Sequence, residues 1–315
     1  MNKSMPGRRI VIFMTDFQQK ITAMLPGLEL RLNEPMEKHT SFRIGGPAEV
    51  MAFPKTVEEL RELLKMSALL DLKPAILGAG TNILAPDAGV KGLVVCMKEC
   101  LDAMERLDAN HIRVSAGVTM SRAAVFAANL GLSGLEFAHG IPGSVGGGVY
   151  MNAGAYGGEI SQVCTQVEVM DFAGNLRVLT CEEMAFSYRH SHLADEDAVV
   201  ISATFALTPK STDEIRSAMQ DLLSKRKNSQ PLDLPSAGSA FKRPVGGYAA
   251  ALIDGAGLKG YRVGGAAVSE KHAGFLINRD GATCADVRGL IAEVQRRVYE
   301  RSGVMLEPEV CIIEK

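Results

Sequence analysis

Two kinds of residue in this sequence are suited to chemistry: glycine turns that bare backbone N–H groups, and a few isolated polar side chains. The longest glycine stretch, His139 to Gly158, reads HGIPGSVGGGVYMNAGAYGG and carries hardly a charge. Residues without a Cβ accept positive φ and let a ligand lie against the peptide. Consecutive N–H groups then form a concave site that suits a phosphate. A flexible linker is the competing reading, but linkers are polar and do not hold Ile141, Val145, Val149, Tyr150 and Met151. The stretch therefore reads as a buried loop wrapped on a ligand. Two shorter turns precede it, Gly45-Gly46 and Gly78-x-Gly80-Thr81-Asn82. Three such loops converging suit an elongated diphosphate such as FAD better than a mononucleotide. No G-x-x-x-x-G-K-[ST] occurs, and neither Gly78-x-Gly80 nor Gly140-x-x-Gly143 completes G-x-G-x-x-G before a helix. A P-loop and a conventional dinucleotide fingerprint are thereby disfavoured.

The polar side chains are ambiguous one at a time. His190-x-His192 has no cysteine or carboxylate partner at ligand spacing, so no metal is expected there. The six cysteines form no C-x-x-C pair and read as reduced thiols of a cytosolic compartment. Ser239, between Gly238 and Ala240, lacks the G-x-S-x-G elbow of a hydrolase. It is either a backbone cap or a reactive hydroxyl. Arg189, Glu307 and Glu309 are equally open, because such residues usually sit solvated at the surface.

The elements that would position these groups alternate strand and helix. A strand at 48–53 leads to a helix capped by Thr56 with Glu59, and a strand at 75–77 runs into the turn 78–82. A second unit has a strand at 111–116, a helix opened by Thr119 and stopped at Gly131, then strands at 163–171, 176–179 and 198–207. A third begins with a helix capped by Ser211 and Glu214, and ends with a helix from Thr283 to Arg301 stopped by Gly303. The expected division is an N-terminal extension at 1–20, then units at 21–98, 99–210 and 211–315. The extension is equally readable as a structural element or as sequence ahead of an alternative start at Met14. A net charge of −2 advertises no nucleic acid, and no stretch has the length of a membrane span.

Seven motifs in this order resemble the UDP-N-acetylenolpyruvoylglucosamine reductase (MurB) family of bacterial peptidoglycan synthesis, over about residues 20–312. They are Thr40-Ser41-Phe42-Arg43-Ile44-Gly45-Gly46-Pro47, Gly78-x-Gly80-Thr81-Asn82, the stretch Gly140 to Gly157, and Ser187-Tyr188-Arg189-His190-Ser191. The others are Ser236-Ala237-Gly238-Ser239-x-Phe241-Lys242, Gly257-Leu258-Lys259-Gly260 with Gly264-Gly265-Ala266-Ala267-Val268, and Leu306-Glu307-Pro308-Glu309-Val310. Chain length and the lack of a long insertion after Arg189 are similar to the shorter subclass, which has no tyrosine-bearing lid loop.

The resemblance implies an α+β fold. Two subdomains of FAD-binding PCMH (vanillyl-alcohol oxidase-like) type are joined by a C-terminal α/β substrate-binding domain. It implies that NADPH reduces FAD and that hydride from flavin N5 reaches the methylene carbon of the enolpyruvyl ether, giving UDP-N-acetylmuramate. Arg189 and Glu309 then correspond to the family's catalytic arginine and glutamate, and Ser239 to its proton donor. The positions matching cofactor contacts are Arg43, Gly45, Gly46, Gly78, Gly80, Thr81, Asn82, Gly140, Gly143, Ser144, Gly147, Asn152 and Gly154. Tyr188, Lys259, His272 and one of Arg226 and Lys227 match substrate positions; at His272 and Arg243 some relatives carry Gln and Asn. The implied enzyme works as a cytoplasmic monomer on UDP-N-acetylglucosamine-enolpyruvate, with no nucleic acid, membrane or metal. Another FAD-linked oxidase of this fold, or a non-catalytic nucleotide-sugar or flavin-binding protein, are the alternatives.

Overall fold

The computed structural model describes residues 14–98 and 100–313. Of the N-terminal extension expected at 1–20, positions 1–13 lie outside the described residues. The helix α1, Asp16–Met24, belongs to the body of the protein: Thr15 and Gln18 form a reciprocal capping box, and Gln18 and Ile21 are buried. Gln18 Nε2 donates to the Glu49 carbonyl at 2.9 Å.

The first unit is a four-stranded sheet in the spatial order Leu30–Pro35, Pro47–Ala52, Val90–Cys96, Ala75–Leu77. The first pair is antiparallel and the other two are parallel. α2, Val57–Leu69, connects two of these strands and buries Leu60, Leu63 and Leu64 on one face. Thr56 caps it at the Glu59 N–H, while the Glu59 carboxylate reaches past Thr56 to the Lys55 N–H.

The second unit is an antiparallel five-stranded sheet in the order Leu176–Thr180, Cys164–Asp171, Ala198–Ala206, His111–Ser115, Met104–Arg106. Its helices are α3, Met120–Asn129, and α4, Val145–Tyr150. α4 lies inside the stretch that reads from sequence as a loop. Ser144 Oγ caps it at the Gly147 N–H, and its glycines let it pack closely. A Cβ on Gly146 would sit 2.9 Å from that of Ala116, and one on Gly148 2.7 Å from Met120 Sδ. α5, Thr212–Ser229, was expected to open the third unit, yet Ile215 and Met219 are buried in the second unit's core.

The third unit is a four-stranded antiparallel sheet, Ser236–Ser239, Phe275–Asn278, Ala266–Val268, Arg262–Val263, covered by α6, Ala249–Gly255, and α7, Cys284–Ser302. Gly303 ends α7 at φ +72°, where a residue without a Cβ is favoured. Phe42, Ile44 and Leu84 of the first unit are buried in this unit's core. Strand Cys311–Ile312 returns to pair parallel with Ile83–Leu84. The first and third units are therefore fused by one apolar core. Among the described residues no helix is long and apolar enough to cross a membrane.

Leu84 tests that fusion because it is fully buried at the junction. Leu84→Ala is expected to lower apoprotein stability by about 2–5 kcal/mol in urea unfolding. A loss below about 1 kcal/mol would show that the shared core contributes little.

Candidate active site

A cavity of about 1150 Å³ is lined by residues of all three units. That exceeds the ~300–1,000 Å³ usual for small-molecule sites and suits a dinucleotide with a second ligand. Its glycine walls meet closely: a Cβ on Gly78 would lie 2.8 Å from Ser144 Oγ, and Thr81 Oγ1 donates to the Pro142 carbonyl at 3.0 Å. Ala79, Gly80, Thr81, Asn82, Gly143 and Ser144 line this cavity, and their N–H groups have no acceptor among the described residues. A row of bare donors along an elongated cavity is what a dinucleotide diphosphate requires, so the residues present fit FAD.

Of the positions matched to cofactor contacts, Gly78, Gly80, Thr81, Asn82, Gly143, Ser144, Gly147 and Gly154 line the cavity; Arg43, Gly45, Gly46, Gly140 and Asn152 do not. Two glycine loops converge there, not three. Gly45 and Gly46 pack on the turn 85–89, where a Cβ would come within 2.6 Å of Ala85 Cβ and 2.2 Å of the Asp87 carbonyl respectively. Arg43 faces a separate shallow cavity with Glu37, Lys38 and Thr40.

Asn152 acts on the neighbouring turn. It is 1% exposed, donates to the Ser187 carbonyl at 3.0 Å and accepts from the Ser161 N–H at 3.0 Å. Ser187 and His190 exchange backbone hydrogen bonds across this turn, which places Arg189 at φ +57°. Such a conformation in a residue with a Cβ is strained and persists only where surrounding contacts hold it. Ser191, fully buried, adds a 2.7 Å bond to the Tyr150 carbonyl. The Arg189 guanidinium then spans from the Gly154 carbonyl at 3.1 Å to Glu309 Oε1 at 2.7 Å.

Glu309 is brought there by backbone pairing. Its N–H donates to the Ala240 carbonyl at 2.8 Å, and the Lys242 N–H donates to the Glu307 carbonyl at 2.8 Å. Asn82 Nδ2 holds the Glu309 carbonyl at 3.0 Å, which ties it to the glycine turn. Burial pushes the Glu309 carboxyl above its ordinary range, against the opposing pull of Arg189 and Lys242. Ser239 sits at a bulge beside Gly238, φ +78°, and its exposed face lines the same cavity as Arg189 and Glu309. Glu307 turns away to pair with Lys242.

Among the positions matched to substrate, Arg226 and His272 line the cavity. Arg226 is 9% exposed, packs against Gly140, and has no carboxylate partner among the described residues. Burial lowers the pKa of its guanidinium. Burial, with the charge of Lys259, also holds the His272 imidazole below its ordinary value. Tyr188 borders the site, its hydroxyl accepting from the Arg243 N–H at 3.2 Å and its ring 5.0 Å from the Arg189 guanidinium carbon. Lys227 and Lys259 do not line the cavity; Lys259 Nζ pairs with Asp254 at 2.8 Å. Tyr156, Tyr248 and the run Asp195 to Asp197 also line it and carry no sequence signal beyond their type.

This arrangement can orient a carboxylate, hold developing negative charge and donate a proton, beside a diphosphate cradle. Glu309→Gln tests the electrostatics. The folded chain retains the Glu309 proton at pH values where the unfolded chain has lost it. Glu309 therefore stabilises below the ordinary carboxyl range, and that contribution is lost as pH rises through the raised value. The unfolding free energy of parent minus variant is expected to fall from about pH 4 to about pH 7; a flat or rising difference refutes the shift. Arg226→Met is expected to leave the apoprotein as stable or more so, and to raise the Kd for UDP about 10–100-fold. An unchanged Kd would remove Arg226 from anion binding.

Comparison with known proteins places these features in a family. Residues 230–313 match the model for the UDP-N-acetylenolpyruvoylglucosamine reductase C-terminal domain, and residues 48–180 the model for an FAD binding domain. The chain is 47% identical over 308 residues to the UDP-N-acetylenolpyruvoylglucosamine reductase of Agathobacter rectalis, covering 94% of this chain and 98% of that protein. It is 46% identical to the same reductase of Caldanaerobacter subterraneus, covering 93% and 97%. The solved structure of the Thermus caldophilus reductase superposes with a TM-score of 0.76 at 36% identity, covering 91% of this chain and 99% of that one.

Proposed function

The chain belongs to the UDP-N-acetylenolpyruvoylglucosamine reductase family, and from that premise we propose how its residues carry the reaction. It has the family's two-subdomain α+β flavin fold and is an FAD-dependent oxidoreductase that reduces UDP-N-acetylenolpyruvoylglucosamine in peptidoglycan synthesis. The observation that carries the residue roles is that Arg189, Glu309 and Ser239 face the same cavity as the bare N–H groups of 79–82 and 143–144.

Those N–H groups hold the FAD diphosphate. FAD, when bound, supplies a two-electron carrier between NADPH and the enolpyruvyl methylene carbon. The planar Arg189 fork orients the substrate carboxylate. When the methylene carbon becomes a methyl, negative charge develops on the neighbouring carbon and its carboxylate. Arg189 stabilises that charge, and the raised pKa of Glu309 lets a protonated carboxyl donate a hydrogen bond to it. Ser239 Oγ gives the neighbouring carbon its proton. A hydroxyl is a weak acid and protonates only a centre as basic as an enolate carbon. Arg226 from α5 and His272 from the third unit reach the UDP portion, with Tyr188 at the border. The six cysteines form no disulfide among the described residues, which suits a reducing, cytoplasmic compartment.

Anaerobic stopped-flow spectroscopy separates the half-reactions. NADPH is expected to bleach the flavin band of the holoenzyme, and the enolpyruvyl substrate to restore it. Ser239→Ala is expected to leave reduction intact and to slow reoxidation by about 10²–10⁴-fold. Equal slowing of both steps would remove Ser239 as proton donor. Rapid reoxidation of the parent by oxygen but not by the substrate would favour an oxidase.

A further inference from the structure

Gly45-Gly46 lies off the cavity, and its glycines serve a different contact. The segment Gly45 to Pro47 meshes with the turn 85–89. The Gly46 and Gly89 N–H groups both donate to the Pro86 carbonyl, at 2.9 and 3.0 Å. A Cβ on Gly46 would sit 2.2 Å from the Asp87 carbonyl, and one on Gly89 2.1 Å from the Pro47 carbonyl. Either substitution forces the turn apart. What the close mesh presents is the Asp87 carboxylate, aimed at the start of α7. Oδ1 accepts from the Cys284 N–H at 2.7 Å and Oδ2 from the Ala285 N–H at 3.0 Å, across 197 and 198 residues of sequence. Thr283, the helix's own cap, reaches only the Asp286 N–H at 3.0 Å. The first two N–H groups of this 19-residue helix are thus satisfied from another unit.

We propose that Asp87 is a positioning residue of the reaction, locking α7 and the groups it carries to the diphosphate cradle. On one side, Asp87 closely follows strand Ile83–Leu84, the direct continuation of the turn 78–82. On the other, Val287, Leu290, Ile291 and Val294 of α7 share a core with Ala237, Ala240 and Phe241, which flank Ser239. Gln295 of α7 also donates to the Leu306 carbonyl at 2.8 Å, which fixes the segment ending at Glu309. A shift of the α7 N-terminus therefore reaches Ser239 through the shared core, while the Asn82 bond holds Glu309 to the cradle.

The inference rests on the reductase reading, and the parent holoenzyme tests that reading separately. The variants are Asp87→Ala, Asp87→Asn and Thr283→Ala, followed by anaerobic reoxidation at saturating substrate, per bound flavin, and by thermal unfolding. Thr283→Ala removes a cap from the same helix end without touching the junction. It is expected to lower Tm by about 2–4 °C at the parent reoxidation rate. Asp87→Ala is expected to lower Tm similarly and to slow reoxidation about 10–100-fold, the scale of a misplacement near 1 Å. Asp87→Asn, which keeps one acceptor oxygen, is expected to fall between and serves as the deciding variant if Asp87→Ala loses its flavin. Asp87 variants that reoxidise at the parent rate overturn the proposal and leave Asp87 a helix cap only. A parent enzyme that the substrate does not reoxidise overturns the reductase reading along with it.

Discussion

A carboxylate buried at the edge of a cavity needs a cation, and the contact between Arg189 and Glu309 meets that need across the junction of two units. The pair is costly to assemble. Arg189 is held at positive φ on a tight turn, and desolvation still outweighs its attraction for the Glu309 charge. The surrounding structure reads as support for this contact. Asn152 and Ser191 latch the turn from below, Asn82 and Ala240 fix the backbone of Glu309, and Gly154 accepts the remaining arm of the guanidinium. Buried polar groups held by several hydrogen bonds in this way favour one geometry.

Glycine does two separate jobs here, and composition alone does not tell them apart. In the turn 78–82 and at Gly143 it bares N–H groups toward the cavity. In Gly45, Gly46, Gly146 and Gly148 it removes a Cβ so that backbone or a core side chain can approach. Both uses favour runs of glycine with apolar neighbours, which is why three loops look alike in sequence while only two line the cavity. Asn152 is a parallel case. It lies in a cofactor-matching motif, but its amide holds a turn.

The legible parts of the sequence were those governed by local rules. Thr56, Thr119, Ser211 and Thr283 cap the helices they precede, and Gly131 and Gly303 follow helix ends at positive φ. The short helix Val145–Tyr150 was not legible, because its three glycines have poor intrinsic propensity and only packing against Ala116 and Met120 stabilises it. The strand Leu30–Pro35 likewise forms through pairing with Pro47–Ala52 and not through a run of strong strand formers. The membership of α5 was hidden for a related reason: its two buried apolar residues, Ile215 and Met219, give no indication of which core they enter. Within the site, the Arg189–Glu309 pair spans 120 residues and no spacing rule reaches that far, so motif resemblance supplied it. Resemblance did not separate Arg226, which lines the cavity, from Lys227, which does not.

The distribution of apolar and polar contacts divides the molecule unevenly, and the division bears on catalysis. The first and third units share a buried core and a strand pair, whereas the second meets the third through Arg189 with Glu309, Tyr188 with Arg243, and Lys271 with the Lys227 carbonyl. An apolar core is adjusted only at a large cost in free energy, and of the polar contacts Arg189 with Glu309 is itself largely buried. The cradle 78–82, Ser239 and Glu309 therefore share one apolar frame, and the unit that carries the guanidinium is joined to that frame as well, because its Met170, Val199 and Ile201 are buried in the first unit's core. Arg226 lies on α5, which packs on the second unit. It is a buried cation without a counter-ion, which lowers the stability of the empty protein, and an anionic ligand relieves that penalty as it binds. An anion bound there, contacting Arg226 from the second unit and the wall formed by the third, would supply the charge the polar junction lacks.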